Sequence, residues 1–302
     1  MSSVHKDLST SQQNPVPSAN RGGFLADVAV ITDGSDSDAA ALSLAETVVS
    51  ASGAHLAALY LNYVQLGAIP MGPGSSLLME KLRENGHAAG DAVEAALRTR
   101  LEVQGDSFEL RRSEGEIGDL VAAAVRMAGA SDVVVVSGRN AFLQPGRSVI
   151  EALLFKAGAP VLIAPDEAKA SPDPTTFPGT VVVGWRDTPE CARAISGGLP
   201  FLKRAKSVIL VNVAESNADE EKHREPMADA ARHLSRHGVS VEIRHIAGWK
   251  KPADALINEA KMVGADMIIL GAYGHSRVFE AVFGGVTREF LENTPLPVLF
   301  SR

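Results

Sequence analysis

Asp132-Val-Val-Val-Val136 and Asp266-Met-Ile-Ile-Leu270 are near copies of each other, each an apolar run entered from a small-residue turn and an Asp. A continuous apolar run of this length, bounded by turn signals, reads as a strand buried on both faces. Working outward from each run, the same order of segments recurs. An apolar helix precedes it (Ile117 to Met127; Ala253 to Met262), and before that a charged, alternating strand (Ser107 to Arg112; Ser240 to His245) with Gly115 or Gly248 at equal distances beyond. Further upstream lie a helix (Gly86 to Gln104; Glu225 to His237), a second strand (Leu56 to Leu61; Val208 to Val213), a first helix (Ala39 to Ser52; Glu190 to about Leu202) and a first strand (Val28 to Asp33; Val181 to Trp185). Downstream, each half closes with a helix and a strand after proline, Pro160-Val-Leu-Ile163 and Pro297-Val-Leu-Phe300.

Each half therefore reads β-α-β-α-β-α-β-α-β, a tandem repeat. Strands alternating with helices imply a parallel sheet covered on both faces, and right-handed crossovers favour a doubly wound layout. The predicted fold is α/β: two flavodoxin-like (Rossmann-like) three-layer domains, each with a parallel five-stranded sheet. The first spans 24–165 and the second 180–302. Between them, 166–179 carries Pro172, Pro174 and Pro178 and reads as a linker. Residues 1–23, rich in Ser, Gln, Asn and Pro, read as a disordered tail.

Composition narrows the function classes. With 29 Lys plus Arg against 36 Asp plus Glu, the formal charge is −7, which argues against a broad nucleic-acid surface. A single cysteine, Cys191, excludes a disulfide within the chain and suits a reducing compartment. No apolar run reaches membrane-spanning length and the N-terminus lacks a signal-peptide core, so a cytoplasmic protein is expected.

The chemistry-bearing stretch is Gly271-Ala-Tyr-Gly274-His-Ser-Arg-Val-Phe-Glu-Ala-Val-Phe-Gly284-Gly285-Val286-Thr287, beginning at the carboxyl end of an apolar strand. Glycines there let the backbone turn and approach a ligand closely. Gly284 to Thr287 precede a helix whose unpaired N–H groups suit phosphate. Ligands of doubly wound sheets sit at strand carboxyl ends where the strand order reverses. Asp187 would face the Gly271 loop across that crevice and accept from a ribose hydroxyl or an adenine amine, and Val213 would pack on the base. Bland readings stand beside these: Asp187 as a cap of the following helix, Val213 as core, and Thr287 as a cap.

The spacing Gly271-x-x-Gly274, nine residues, then Gly284 resembles the nucleotide-binding signature of the universal stress protein family, and the element order resembles that family in both halves. The resemblance implies an adenine-nucleotide site, ATP with its own Mg, formed by Asp187, Val213, Gly271, Gly274, Gly284, Val286 and Thr287; Gly285 is a candidate beside them, and His275, after the glycine loop, either reaches the phosphates or faces water. It also implies that the closing strands, Val161-Leu-Ile163 and Val298-Leu-Phe300, pair edge to edge in an intramolecular pseudo-dimer, with a homodimer or an unknown protein partner beyond it. Two departures stand out. Gly285 replaces the hydroxyl residue of the signature, and the first half, Ser137-Gly138-Arg-Asn-Ala141 onward, loses the glycine spacing and is expected to hold no nucleotide.

No Gly-x-Ser-x-Gly elbow and no Walker-type loop is present, so no catalytic residue is expected, and at most slow ATP hydrolysis. The alternative function is a nucleotide-independent protein-interaction module of the same fold. His233 and His237, four apart, read as a solvated helix face rather than a zinc site. Glu220 and Glu221 read as surface, and Cys191 as a buried helix residue.

Overall fold

The structure is a computed structural model that describes residues 23–65, 72, 75–103, 108–142, 144–165, 172–214, 217–272, 285–293 and 295–302. Residues 1–22 of the expected tail and 166–171 of the expected linker lie outside the described residues. The first unit runs β1 (Asp27–Thr32), α1 (Ala39–Ser52), β2 (His55–Tyr63), α2 (Ser75–Glu102), β3 (Phe108–Gly115), α3 (Ile117–Ala128), β4 (Val133–Ser137), α4 (Gly146–Lys156) and β5 (Val161–Ala164). The second repeats the order: β6 (Thr180–Gly184), α5 (Pro189–Arg204), β7 (Ser207–Ala214), α6 (Asn217–Arg236), β8 (Val241–Ala247), α7 (Pro252–Met262), β9 (Met267–Gly271), α8 (Gly285–Asn293) and β10 (Val298–Ser301).

The ten strands form one sheet in the order β3-β2-β1-β4-β5-β10-β9-β6-β7-β8. Within each unit all pairings are parallel; the seam between units is antiparallel, with Leu162 opposite Leu299 and Val161 opposite Phe300. This is the pairing expected of the closing strands. It covers the two edges that each unit alone would leave open.

Alternation along the strands sorts side chains into two apolar layers. Val181, Val183 and Trp185 face the layer that also holds Tyr60, Leu97 and Phe201, while Val182 and Val213 face the layer of Leu120, Leu256 and Phe290. Helices α1, α2, α5 and α6 cover the first face; α3, α4, α7 and α8 cover the second.

The repeat extends to individual hydrogen bonds. Asp132 Oδ2 accepts from the amides of Ala26 and Asp27 at 2.7 and 3.0 Å, and Asp266 Oδ2 from those of Gly179 and Thr180 at 2.7 and 2.9 Å. Each Asp thereby ties the entry of the first strand of its unit to the entry of the fourth. The outer edges match as well: Arg111 pairs with Glu109 on β3 and Arg244 with Glu242 on β8, both at 2.7 Å. Charges along an exposed edge discourage pairing with another chain.

Three local readings are corrected. Helix α2 begins at Ser75 rather than Gly86, and α6 at Asn217 rather than Glu225. The first turns of α2 leave Leu77, Leu78 and Leu82 exposed, so they carry no buried stripe from which a helix could be read, and Pro226 lies inside α6. Cys191 is half-buried against the core rather than fully enclosed.

Candidate functional site

In the second unit the chain runs outward from β6 through β7 to β8, then returns to the other side of β6 as β9. The strand order therefore reverses between β6 and β9, and doubly wound folds place ligands at the carboxyl ends of such strands. Gly274, His275 and Gly284 lie outside the described residues. Of the rest, Gly271 ends β9, and Gly285, Val286 and Thr287 form the first turn of α8. Val213, at the carboxyl end of β7, shares one apolar cluster with Ala272 and Val286. Thr287 is buried in the same turn. The first N–H groups of α8 have no intrahelical partner, and the helix dipole adds partial positive charge there.

Gly271 has a packing reason of its own. A Cβ at this position would lie 2.7 Å from the carbonyl carbon of Glu190 and 2.8 Å from the Cys191 amide nitrogen. Helix α5 thus starts directly against the end of β9. By strand register Ser137 is the matching residue of the first unit, and its hydroxyl donates to Ser37 O at 2.8 Å. Where one unit bridges strand to helix with a serine, the other closes the gap to backbone contact.

Asp187 is exposed and does not cap α5. That role falls to Thr188, whose side chain accepts from the Cys191 amide at 3.3 Å, with Pro189 at the first helical position. Asp187 instead lines an open groove of about 590 Å³ between α5 and α6, together with Trp185, Ile195, Glu225, Pro226 and Asp229. Trp185 and Val213 face opposite layers of the sheet. The described contacts therefore group Asp187 with the α5–α6 face and Val213 with the α7–α8 face.

The crevice of the first unit is closed. The space among Asp33, Leu61, Asn140 and Pro145 is about 20 Å³, room for roughly one water. A buried carboxylate, Asp38, organises the closure. It accepts from Thr32 Oγ1 at 2.5 Å, from the amides of Asp33 and Gly34 at 2.7 and 3.0 Å, and from Asn140 Nδ2 at 3.0 Å. Asn140 Oδ1 also accepts from the Ser37 hydroxyl at 2.8 Å. Burial, then the neighbouring Asp33 carboxylate, push the Asp38 pKa up to about 7, against the pull of the Thr32 hydroxyl.

Sequence reasoning passed over Asp38 and Asn140, and gave Trp185 no role beyond ending the first strand of the second unit. Asn140 becomes meaningful only beside Asp38, 102 residues away. Trp185 did carry a signal: it ends an apolar strand at the place where the first unit has the small polar Thr32. Among the described residues no group of three or more His, Cys, Asp or Glu could hold a metal ion, and no helix is long and apolar enough to cross a membrane. His233, on α6, and His237, in the turn just after it, are both exposed, their rings 4.7 Å apart edge to face. Glu221 is exposed.

Comparison with known proteins agrees with this architecture. Residues 179–302 match the model of the universal stress protein family. Universal stress protein Slr1230 of Synechocystis sp. is 22% identical over 305 residues, covering 92% of this chain and 100% of that protein. The crystal structure of a universal stress protein from Archaeoglobus fulgidus DSM 4304 superposes with a TM-score of 0.66 at 15% identity, covering 93% of this chain and 97% of the other. A putative universal stress protein from Pseudomonas aeruginosa UCBPP-PA14 gives 0.55 at 16% identity, covering 92% and 93%. At these identities the two structures speak for the fold.

Proposed function

We propose that this chain, whose residues 179–302 match the universal stress protein family, works as a tandem two-domain universal stress protein whose second domain, 180–302, binds ATP or a related adenine nucleotide at the carboxyl ends of β6 and β9. One observation carries the reading: Val213 and Ala272 belong to the apolar layer against which Val286, in the first turn of α8, is packed. That arrangement offers an apolar wall for a base next to N–H groups suited to phosphate. The glycine spacing from Gly271 and Gly274 to Gly284 supplies the phosphate loop. Gly285 and Thr287 would complete it, and His275 would stand near the phosphates. Asp187, at the mouth, would accept from a ribose hydroxyl or an adenine amine. Magnesium would arrive with the nucleotide, held by its phosphates, and any hydrolysis would be slow.

The first domain, 24–165, serves as a structural partner across the β5–β10 seam in this reading. Its crevice has room for about one water, against the several hundred Å³ that a ligand of this size needs. The lone thiol, Cys191, favours work in the cytoplasm.

A second reading, an interaction module that needs no nucleotide, draws on Gly271. That glycine is already required by contact with α5, so its presence does not by itself demand a ligand. Native mass spectrometry of the purified full chain separates the two. Co-purified ATP, ADP or AMP, or saturable calorimetric binding of added nucleotide, supports the first. Failure of all three nucleotides to bind the intact fold would replace it with the second.

A further inference from the structure

We propose that two turns at the mouth of the first unit form a proton-operated latch, shut while Asp33 and Asp38 hold one proton between them and parted when that proton leaves. The turns are the short 3-10 segments Asp36–Asp38, after β1, and Gly138–Phe142, after β4.

The bonds of Asp38 divide in two. Its Oδ2 accepts from Thr32 Oγ1 and from the amides of Asp33 and Gly34, all within six residues on its own side of the mouth. Its Oδ1 accepts from Asn140 Nδ2 on the other side. Two hydroxyls add to that link: Ser37 donates to Asn140 Oδ1 and Ser137 donates to Ser37 O, both at 2.8 Å. The first turn is thus tied to itself and can move as one piece. Its hold on the second turn depends on Asn140, Ser37 and Ser137.

The space beneath is small and apolar. Leu61, Val136, Val149 and Ile150 line it, and its volume is about 20 Å³. Asp38 is buried, Asp33 is half-buried, and their side chains hydrogen-bond to each other. A hydrogen bond between two carboxyl groups needs a proton on one of them. Once it is lost, two anions stand side by side with little water to hydrate either. Ionisation strengthens the bond from Asn140, but one bond returns less than the desolvation of a second anion costs. Parting the turns admits water to both carboxylates and leaves the bonds within the first turn intact.

The other charges around the pair do not offset it. Asp36 is exposed on the same turn and Arg139 on the opposite one. Tyr60, on β2, stands within reach of the Asp33 charge. Helix α2 meets this turn through Val93, against Gly34, and the start of α4 through Gly146 and Val149, none of them ionisable. Further along α4, Arg147 pairs with Glu151. Burial first, and Asp33 second, raise the Asp38 carboxyl to about 7. The second unit has no counterpart: counting along the paired strands sets Cys191 opposite Asp38.

The test is amide hydrogen exchange of the full chain between pH 5 and 8, with the intrinsic pH dependence of exchange removed. The shut form holds a proton that the parted form releases, so parting grows easier as pH rises toward 7 and levels off above it. Protection across 138–142 should fall by up to about tenfold per pH unit over that range. It should also be insensitive to low urea, because parting exposes little surface, whereas amides of β1 and β4 that exchange through unfolding lose protection as urea is added. Asp38→Asn should abolish the pH dependence at 138–142, and Asp33→Asn, at a half-buried position, should reduce it, both with native circular dichroism. Protection at 138–142 that ignores pH would overturn the proposal. So would an unchanged pH dependence in either variant, or a urea dependence as steep as that of β1 and β4.

Discussion

Asn140 Nδ2 donates to Asp38 Oδ1 at 3.0 Å, joining the turn after β4 to the turn after β1 across the mouth of the first unit. The contact lies where the strand order of the first unit reverses, at the carboxyl ends of β1 and β4. It yields the most direct pH prediction for the protein.

The Asp38 carboxyl has an ordinary pKa of 3.8 and is raised to about 7 in the fold, by burial first and Asp33 second. The folded state therefore holds a proton that the unfolded chain releases. Stability from this group is fully present below about pH 4 and is lost as pH rises through about 7, with a slope on the order of 1 kcal/mol per pH unit at most. Asp38→Asn should remove that slope. Urea unfolding at pH 5, 6, 7 and 8 measures it; parallel curves for both proteins would show that Asp38 does not titrate in this window.

Asp266→Ala removes two charge-assisted bonds to the amides of Gly179 and Thr180 and leaves both donors partly buried. A loss of roughly 2–3 kcal/mol is expected. The matching Asp132→Ala should cost less, because its bonds to Ala26 and Asp27 are exposed. Chemical denaturation of the two variants gives the comparison, and a greater loss at Asp132 would contradict it.

Gly271 and Gly274 should separate packing from binding. Gly271→Ala forces a Cβ against the α5 backbone, so it should destabilise by about 1–3 kcal/mol with or without nucleotide. Gly274→Val should lower nucleotide affinity while leaving the melting temperature near that of the parent, since a branched Cβ intrudes on the loop approach. Thermal melts and calorimetry on both variants read the split. A stable Gly271→Ala protein would remove the contact with Glu190 from the account.

Phe300 lies fully buried at the seam, opposite Val161. Phe300→Ala should cost about 3–5 kcal/mol. Because the seam joins both units, amide exchange should rise in β5 as well as β10. Faster exchange confined to β10 would mean that the units do not support each other there.

The repeat was legible because every strand and helix carries its own pattern: apolar runs of four or five residues, an Asp before β4 and β9, a proline before β5 and β10. Those signals are local, and a parallel sheet buried on both faces demands them wherever it occurs. The start of α2 was misread because its first turns are solvated and leave no periodic stripe. The site residues were less legible. Asp187 fits a crevice residue by its place after β6, yet the fold puts it beside Trp185, and Thr188 takes the capping role.

Sequence alone thus determined the number of units and their order of elements. The tertiary structure decided that the crevice of the first unit is closed, why Gly271 is a glycine, and that Thr188 rather than Asp187 caps α5. The division has a physical cause. Secondary structure and burial follow from neighbours within a turn or a strand, whereas closure and pairing depend on groups such as Asp38 and Asn140 that meet only after distant segments pack.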